Sequence, residues 1–365
     1  NIFANYSGRL SDMDGYGNSF RTSFLSETSY LDQQIDFTNK MNSQNFTIGA
    51  DFQPNKFNTF TLSVIYNSWE RSGENDMEYA SLNSAMLPTG FFLRESNDRM
   101  NNNGLNYSLN YRRTFDQRNR ELNADLVFSG RGMSRTEENL QRFMAADKSM
   151  TDRPDLLENT LMDGNNWMVS FQTDYVHPLG KDKKLEFGAR AYIREMDSDF
   201  TFLRYNQGAG SWVNEPGLSN RFVFGEQVYS AYGTFGTTIG AYSFQAGLRA
   251  EQSYVEADQR TTGEVFNNSW FHLFPSAHLR RSFEKNQSAQ LSYSRRINRP
   301  NNRVLNPFVS YSDPFDLQFG NPRLAPELIN SIELGYTRFW KNTTVNPSLF
   351  YRYTDGMITR FRTMD

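Results

Sequence analysis

Strict alternation between apolar and polar side chains runs through most of this sequence and restricts the chain to β-sheet. From residue 185 to residue 193 every second residue is apolar, whereas Glu186, Arg190 and Arg194 stand in alternate positions. The same pattern covers residues 46–52, 60–66, 105–111, 122–128, 167–171 and 242–250. Alternation with a period of two places one set of side chains on each face of a sheet. The sequence therefore predicts an all-β fold.

Segment length and charge together indicate what the apolar face meets. Segments 184–197 and 242–254 exceed the roughly 9–11 residues that a tilted strand needs to cross a bilayer. Turning Arg190 or Arg249 towards lipid at mid-strand would cost about 2–4 kcal/mol each. We therefore expect a transmembrane sheet with the apolar set facing lipid. A soluble β-sandwich or propeller is the alternative, but strands in those folds are nearer about five or six residues.

Composition excludes several other classes of protein. No run approaches the roughly 18 apolar residues of a membrane helix. A mean hydropathy of -0.70 with 15% aromatic residues fits strands that face lipid with only every second residue. The net charge of -3 gives no basic footprint for nucleic acid. Cysteine is absent from the sequence, which excludes disulfides and thiolate chemistry and suits an oxidising envelope compartment.

Short and long connections alternate between these segments along the chain. Short turns are predicted near residues 53–58, 116–120, 177–184, 239–241, 284–287 and 341–343. Long polar loops are predicted near residues 71–88, 131–164, 206–220, 258–268 and 297–328. Short periplasmic turns and longer extracellular loops are typical of transmembrane barrels. The pattern predicts an antiparallel transmembrane β-barrel with about fourteen strands in this chain.

Tryptophans and prolines mark positions in the predicted wall. Four tryptophans are expected at strand ends, as an aromatic girdle: Trp69, Trp167, Trp270 and Trp340. All 12 prolines lie in predicted connections except Pro275 and Pro347, which we expect near strand ends or bulges.

Counting strands from the short turns gives the topology. With those turns in the periplasm, Asn1 and Asp365 are both expected outside the cell. Bacterial barrels normally keep both termini in the periplasm. We therefore expect residues 1–365 to be an internal part of an outer-membrane barrel, with strands missing on both sides.

An ordered series of motifs resembles the outer-membrane β-barrel family of Bacteroidetes TonB-dependent receptors. Residues 293–338 read YSRRINRPNNRVLNPFVSYSDPFDLQFGNPRLAPELINSIELGYTR, with the family's YSRRI-RP start, LNPF–YSDP core, GNP-L-PE step and ELGY strand. Residues 174–180 (DYVHPLG), 242–251 (YSFQAGLRAE) and 273–279 (LFPSAHL) resemble it in the same order. The resemblance covers most of the chain and is weakest over residues 131–164.

The resemblance implies a barrel of about twenty-two strands in the bacterial outer membrane, closed by an N-terminal plug domain. We expect that plug outside residues 1–365, engaging TonB through a short segment. The implied function is energised uptake of a nutrient such as a glycan, a peptide or a chelated metal. Alternative functions are a passive or secretory channel and a scaffold for surface lipoproteins. Expected partners besides TonB are outer-membrane lipid, lipopolysaccharide and a surface lipoprotein.

Candidate ligand-binding residues can be nominated by charge. Four arginines lie in or beside the proline-rich loop at the predicted barrel mouth: Arg295, Arg296, Arg299 and Arg303. Arg190 and Arg249 face the predicted lumen. The loop prolines are Pro300, Pro307, Pro314, Pro322 and Pro326, each of which restricts the backbone. Two interpretations stay open: the loop braces the mouth, or its arginines contact ligand or lipopolysaccharide phosphates.

The sequence shows no constellation of residues for catalysis. The three histidines have no metal-ligand spacing: His177, His272 and His278. Three glycines of an alternating strand precede no helix and form no nucleotide loop: Gly233, Gly236 and Gly240. We therefore predict no enzyme activity, no metal site and no cofactor.

Overall fold

The computed structural model describes residues 1–24, 27–309 and 318–361, most of which lie in one antiparallel β-sheet. Its first strands are β1 (Ile2–Ser23), β2 (Ser29–Asn55), β3 (Asn58–Leu82), β4 (Pro88–Thr114), β5 (Glu121–Met144), β6 (Leu156–Pro178) and β7 (Lys183–Asn206). The others are β8 (Ser211–Asn214), β9 (Asn220–Ile239), β10 (Tyr242–Gln259), β11 (Glu264–Phe283), β12 (Gln287–Asn298), β13 (Glu327–Trp340), β14 (Thr343–Val345) and β15 (Ser348–Asp355). A short helix, α1 (Asn302–Leu305), follows β12. Among the described residues, no helix is long and apolar enough to cross a membrane.

Strands that are consecutive in the chain lie side by side in the sheet. The path runs from β1 to β7, continues through β9 to β13 and ends at β14. The short β8 pairs with the end of β7, and β15 pairs with β13 further along the edge that β14 occupies. The described wall therefore has thirteen strand positions. The predicted antiparallel all-β fold is confirmed, with a strand number close to the predicted value of about fourteen.

Large apolar side chains cover the outer face of the wall in a band. Leu62, Phe187 and Leu248 are 52%, 49% and 51% exposed. So much exposed apolar surface is rare on a soluble monomer, but it is what contact with lipid requires. On β7 the band runs from Leu185 to Ile193, which corresponds to roughly 25 Å along the normal of a bilayer when the strand is tilted. The predicted outward orientation of the apolar set is confirmed.

Neighbouring strands are staggered in one direction. The row of paired residues that includes Phe52, three residues before the end of β2, passes through Ala189 on β7. It continues to Ala250, which lies eight residues beyond Tyr242, the first residue of β10. A steady stagger of this kind tilts strands relative to the barrel axis.

The six predicted short turns are confirmed and share one end of the sheet, which we call the lower end. Residues 240–241 form a two-residue turn, because Ile239 and Tyr242 pair directly, and residues 56–57 and 341–342 form turns of the same length. Gly240 has φ +60°, a value that two-residue hairpin turns require and that glycine adopts without strain.

At the upper end, three of the five predicted long loops are mostly strand. The loop predicted at residues 71–88 is reduced to 83–87, because β3 and β4 continue beyond the apolar band. The loops predicted at residues 131–164 and 258–268 are reduced to 145–155 and 260–263 in the same way. The two other predicted loops contain β8 and α1. The prediction was wrong because both faces of these strands are polar above the band, so alternation disappears while backbone pairing continues.

Pro275 lies inside β11, contrary to the expectation of a strand end or bulge. β11 pairs with β10 from Glu264 to Arg281, but its pairing with β12 begins only at Ser276. Proline has no N–H to donate, so the β11–β12 ladder stops at Pro275 and the two strands separate above it. Pro347 lies between β14 and β15, as expected for an irregular position. Pro314 and Asp365 lie outside the described residues.

Candidate functional site

A hydrophobic core lies on the inner face of β9–β11, towards the upper end. Its buried members are Phe222, Phe224, Val255, Ala257 and Leu305. Three partly buried side chains pack against it: Phe266, Trp270 and Leu324. The girdle prediction is therefore wrong for Trp270, because this side chain faces inward and packs against protein. Leu305 belongs to α1, so a connection folded inside the wall completes the core.

The connection that carries Leu305 consists of residues 299–309 and 318–326, and we call it the docked segment. Asn301 caps α1, because its side chain accepts hydrogen bonds from two backbone N–H groups of the helix. Asn268 on β11 donates to the carbonyl oxygen of Pro322 at 3.1 Å. The docked segment is thus attached to the wall by a polar contact as well as by the core.

Backbone contacts at Gly320 join the two parts of the docked segment. The N–H of Gly320 donates to the carbonyl oxygen of Asn306 at 2.7 Å, and the N–H of Asn321 donates to that of Val304 at 2.8 Å. A Cβ atom added at Gly320 would lie 2.3 Å from the Val304 oxygen. Only glycine permits this close approach.

Five charged side chains beside the core form what we call the charge cluster. Arg299 of the docked segment reaches across the wall to Glu251 on β10, and its Nε lies 3.9 Å from Oε1 of Glu226 on β9. The Arg194 Nε lies 2.9 Å from Glu226 Oε2, and the Arg249 Nε lies 3.6 Å from Glu251 Oε2. Both glutamate side chains are only 8% exposed. Burying two carboxylates costs free energy, and the neighbouring guanidinium groups offset that cost.

Positive charge exceeds negative charge around Arg299. Burial lowers the pKa of this guanidinium, Glu226 raises it, and the neighbouring positive charges of Arg249, Arg190 and Arg194 lower it further. Arginine nevertheless stays protonated in proteins. Three guanidinium groups therefore contact the two buried glutamates, and Arg190 faces Glu251 across Ser230.

Three of the six arginines nominated from the sequence lie near Glu251: Arg249 and Arg299 form ion pairs with it, and Arg190 faces it across Ser230. Arg303 is exposed on α1 and donates to Gln318 at 3.4 Å. Arg295 and Arg296 lie at the end of β12, outside the charge cluster. The docked position of Arg299 favours the bracing interpretation of the loop. Ligand contact by any of the six arginines stays a prediction.

Sequence reasoning did not nominate Glu226. A signal was present, because Glu226 lies directly opposite Arg194 in the pairing of β7 with β9. Recognising it requires the register between two strands that are separated by β8, and alternation within one strand does not contain that register.

The upper parts of β1–β6, which we call the tall wall, have a different inner face. The buried side chains that the structure describes there are polar: Ser96, Asp98, Asn102, Asn139 and Glu158. Glu158 lies 3.0 Å from Arg204 and 3.6 Å from Arg94. Asp98 lies 3.5 Å from Arg71. The inner face is thus polar along β1–β6 and partly apolar along β9–β11.

The described part of the chain contains no cluster of metal-binding side chains. No group of three or more histidine, aspartate or glutamate side chains there is arranged to hold a metal ion. His272 packs near Phe274, with ring centroids 6.1 Å apart. The charge cluster, whose groups are guanidinium and carboxylate, is suited to binding charged groups through ion pairs.

Comparison with solved structures identifies the fold. The chain is similar to the ferric citrate transporter FecA in its unliganded form, with a TM-score of 0.54, 12% identity, and coverage of 97% of this chain and 51% of that one. It is also similar to the copper transporter OprC, with a TM-score of 0.55, 10% identity, and coverage of 96% and 54%. The chain thus spans about half the length of these structures, and identities this low show likeness of fold alone.

A family model provides the assignment. No curated protein sequence matches the chain. Residues 113–365, which are well over half of the chain, match the model of the outer membrane protein beta-barrel family. Together with the apolar band and the staggered antiparallel wall, this match shows that the chain belongs to the outer membrane protein beta-barrel family and lies in the outer membrane.

Proposed function

We propose that this chain forms part of the wall of a TonB-dependent receptor, which imports a nutrient across the outer membrane with energy from the inner membrane. The observation that carries the proposal is a charged inner face with a connection docked onto it. A docked segment narrows the mouth, and narrowing suits selective recognition better than free diffusion. The names of the two similar structures, a ferric citrate transporter and a copper transporter, support the same function.

The remaining parts of such a receptor belong to the proposal. Because the chain spans about half the length of the similar structures, we assign residues 1–365 to one portion of a larger barrel of about twenty-two strands. A plug domain elsewhere in the protein closes the lumen and engages TonB. Lipopolysaccharide surrounds the upper end, and a surface lipoprotein is a further candidate partner. The sequence motifs favour an origin in Bacteroidetes.

Conductance distinguishes this function from a passive or secretory channel. The full-length protein, purified in detergent and inserted into a planar bilayer, should show almost no steady current, because a plug closes the lumen. A general porin inserted in the same bilayer provides the positive control. Large, stable conductance steps from the full-length protein would contradict the receptor proposal and favour a passive channel.

Binding to TonB provides a second readout. The periplasmic domain of TonB from the same organism, immobilised on a resin, should retain the detergent-solubilised full-length protein. The same resin should not retain the porin. A protein that neither conducts nor binds TonB would contradict energised uptake and favour the scaffold for lipoproteins.

A further inference from the structure

The inner wall around the charge cluster has more positive than negative groups. Four guanidinium groups lie there: Arg194, Arg249 and Arg299 make ion pairs with the glutamates of the cluster, and Arg190 faces Glu251 across Ser230. Two buried glutamates, Glu226 and Glu251, oppose them. Asp174 is a third carboxylate on this face, but it accepts hydrogen bonds from Tyr232 and from Gln172. Even with Asp174 counted, one positive charge remains without an opposing charge.

The two glutamates are occupied by other arginines. Arg299 contacts both of them, and Arg194 lies 2.9 Å from Glu226. Arg249 shares Glu251 with Arg299: its Nε lies 3.6 Å from that carboxylate and, like the Nε atoms of Arg194 and Arg299, is buried without a hydrogen-bond partner. The positive charge without an opposing group is therefore concentrated on Arg249 and on its neighbour Arg190.

Of these four arginines, Arg190 is the one whose guanidinium group has no carboxylate partner among the described residues. Its side chain is exposed on the inner face, and within the described residues it forms no ion pair. Its guanidinium carbon lies 5.6 Å from the centroid of the Tyr192 ring, and that of Arg249 lies 4.6 Å from the Phe274 ring. Contacts with ring faces hold a guanidinium in place without neutralising it.

The register places the two arginines within reach of one shared group. Arg190 on β7 lies opposite Ser230 on β9, and Ser230 lies opposite Glu251 on β10. Arg249 is the next inward-facing residue below Glu251 on the same strand. Adjacent strands are about 4.8 Å apart, so one strand separates the two arginines and their long side chains can converge over Ser230. Guanidinium groups bind carboxylate and phosphate oxygens through paired hydrogen bonds.

We propose that Arg190 and Arg249 bind one oxyanion, a carboxylate or a phosphate, and that Arg299 keeps this site cationic by occupying Glu226 and Glu251. Withdrawal of the docked segment frees Glu251 to neutralise Arg249. Anion binding and docking of the segment therefore favour each other, as any two linked equilibria must. The inference names a ligand chemistry for the proposed receptor and rests on that function only for the origin of the ligand.

Calorimetric titration of the full-length protein in detergent with citrate at low ionic strength tests the site. Arg190→Gln and Arg249→Gln should each weaken citrate binding by about tenfold or more, the loss expected for a hydrogen bond to a charged group. Arg299→Gln should weaken it several-fold without touching the anion, because Glu251 is released. Glu251→Gln should strengthen it, because a competing charge is removed. Arg112→Gln, which breaks an exposed pair with Glu121 at the lower end of the wall, should leave it unchanged.

The opposite sign expected for Glu251→Gln separates the proposal from general loss of structure, which would weaken binding in every variant. A second source of the anion is a carboxylate from the rest of the protein. In that case citrate does not bind, and Arg190→Gln and Arg249→Gln lower the melting temperature more than Arg112→Gln does, which supports the oxyanion site with an internal occupant. Absence of citrate binding together with melting temperatures equal to that of Arg112→Gln overturns the proposal. The titration needs neither TonB nor a bilayer, so its failure is distinct from failure of the transport function.

Discussion

The tall wall and the docked side, by which we mean β9–β11 with the docked segment, use similar strands but are stabilised differently. In the described part of the tall wall, buried side chains are polar and make ion pairs, such as Glu158 with Arg204. On the docked side, Phe222 and Phe224 are buried against Leu305. Strands that rise above a membrane therefore need no core of their own when neighbouring strands satisfy their backbone. A core forms where a connection must be fixed in position.

Leu305→Ala should produce the largest change in hydrogen exchange on the docked side, because it removes the side chain that joins the docked segment to the wall. Loss of a fully buried leucine costs about 2–5 kcal/mol, and here that loss falls on the free energy of docking. Hydrogen exchange of residues 299–309, followed by mass spectrometry, should rise strongly. Leu87→Ala, in the 83–87 loop beside the tall wall, is the matched control, because Leu87 is 60% exposed. Equal exchange in the two variants would remove the distinction between the two regions.

Gly320→Ala should destabilise the docked segment by disrupting the contact between its two parts. The added Cβ would lie 2.3 Å from the Val304 carbonyl oxygen, and the resulting overpacking costs about 1–3 kcal/mol. Exchange of the docked segment should rise, whereas exchange in the tall wall should not change. Gly217→Ala is the control, since a Cβ there meets no atom within 4 Å. A wild-type exchange pattern in Gly320→Ala would contradict the close approach.

Salt should act on the tall wall more than on the docked side. Arg142 Nη1 lies 2.5 Å from Glu95 Oε1, and both side chains are more than a third exposed. Such pairs contribute about 0.2–1 kcal/mol and are screened by salt. Raising sodium chloride to about 0.5 M, where the Debye length is short, should increase exchange in the upper parts of β4 and β5. Residues 299–309 should respond less, because Leu305 is buried and the glutamates that Arg299 contacts are only 8% exposed, so salt screens these pairs less. A larger response there would show that the ion pairs of Arg299 dominate docking.

Lowering the pH should produce the smallest effect, and it should occur between β7 and β9, where the two regions meet. Asp197 on β7 accepts hydrogen bonds from Arg221 on β9 at 2.8 and 3.2 Å, and these bonds lower the pKa of Asp197 below its usual value of 3.8. A lowered pKa in the folded state means that the stabilisation is present above pH 3.8 and is lost as the pH falls through the lowered value. Exchange near Arg221, corrected for intrinsic rate, should therefore rise below pH 3.8. Asp197→Asn should remove this pH dependence, and its persistence would show that another group titrates.

The part of the fold that meets lipid could be predicted from the sequence, because lipid imposes a rule on each residue separately. Arg190 and Arg249 could not face lipid, so their neighbours Ala189 and Leu248 had to. The short turns could be predicted for a similar reason, since Gly240 provides a backbone conformation that few other residues adopt.

The upper end could not be predicted, because the forces there act between residues that are distant in sequence. Strand β3 continues through polar residues since β2 and β4 supply its hydrogen bonds, and no local pattern records that. Phe222 and Phe224 share the inward parity of Glu226, so apolar residues with that parity were a sign that something covers them. The covering residue, Leu305, lies some eighty positions away within a polar loop, and periodicity cannot connect the two.

Pro275 has a consequence for how this wall can vary. Because the ladder between β11 and β12 stops at this residue, lengthening or replacing the chain between Asn298 and Glu327 shifts no backbone pair in the lower part of the wall. The docked segment can therefore change in length or sequence, while the pairing of the strands below it stays the same. Members of such a family are then free to alter the shape of the mouth without rebuilding the part that stands in lipid.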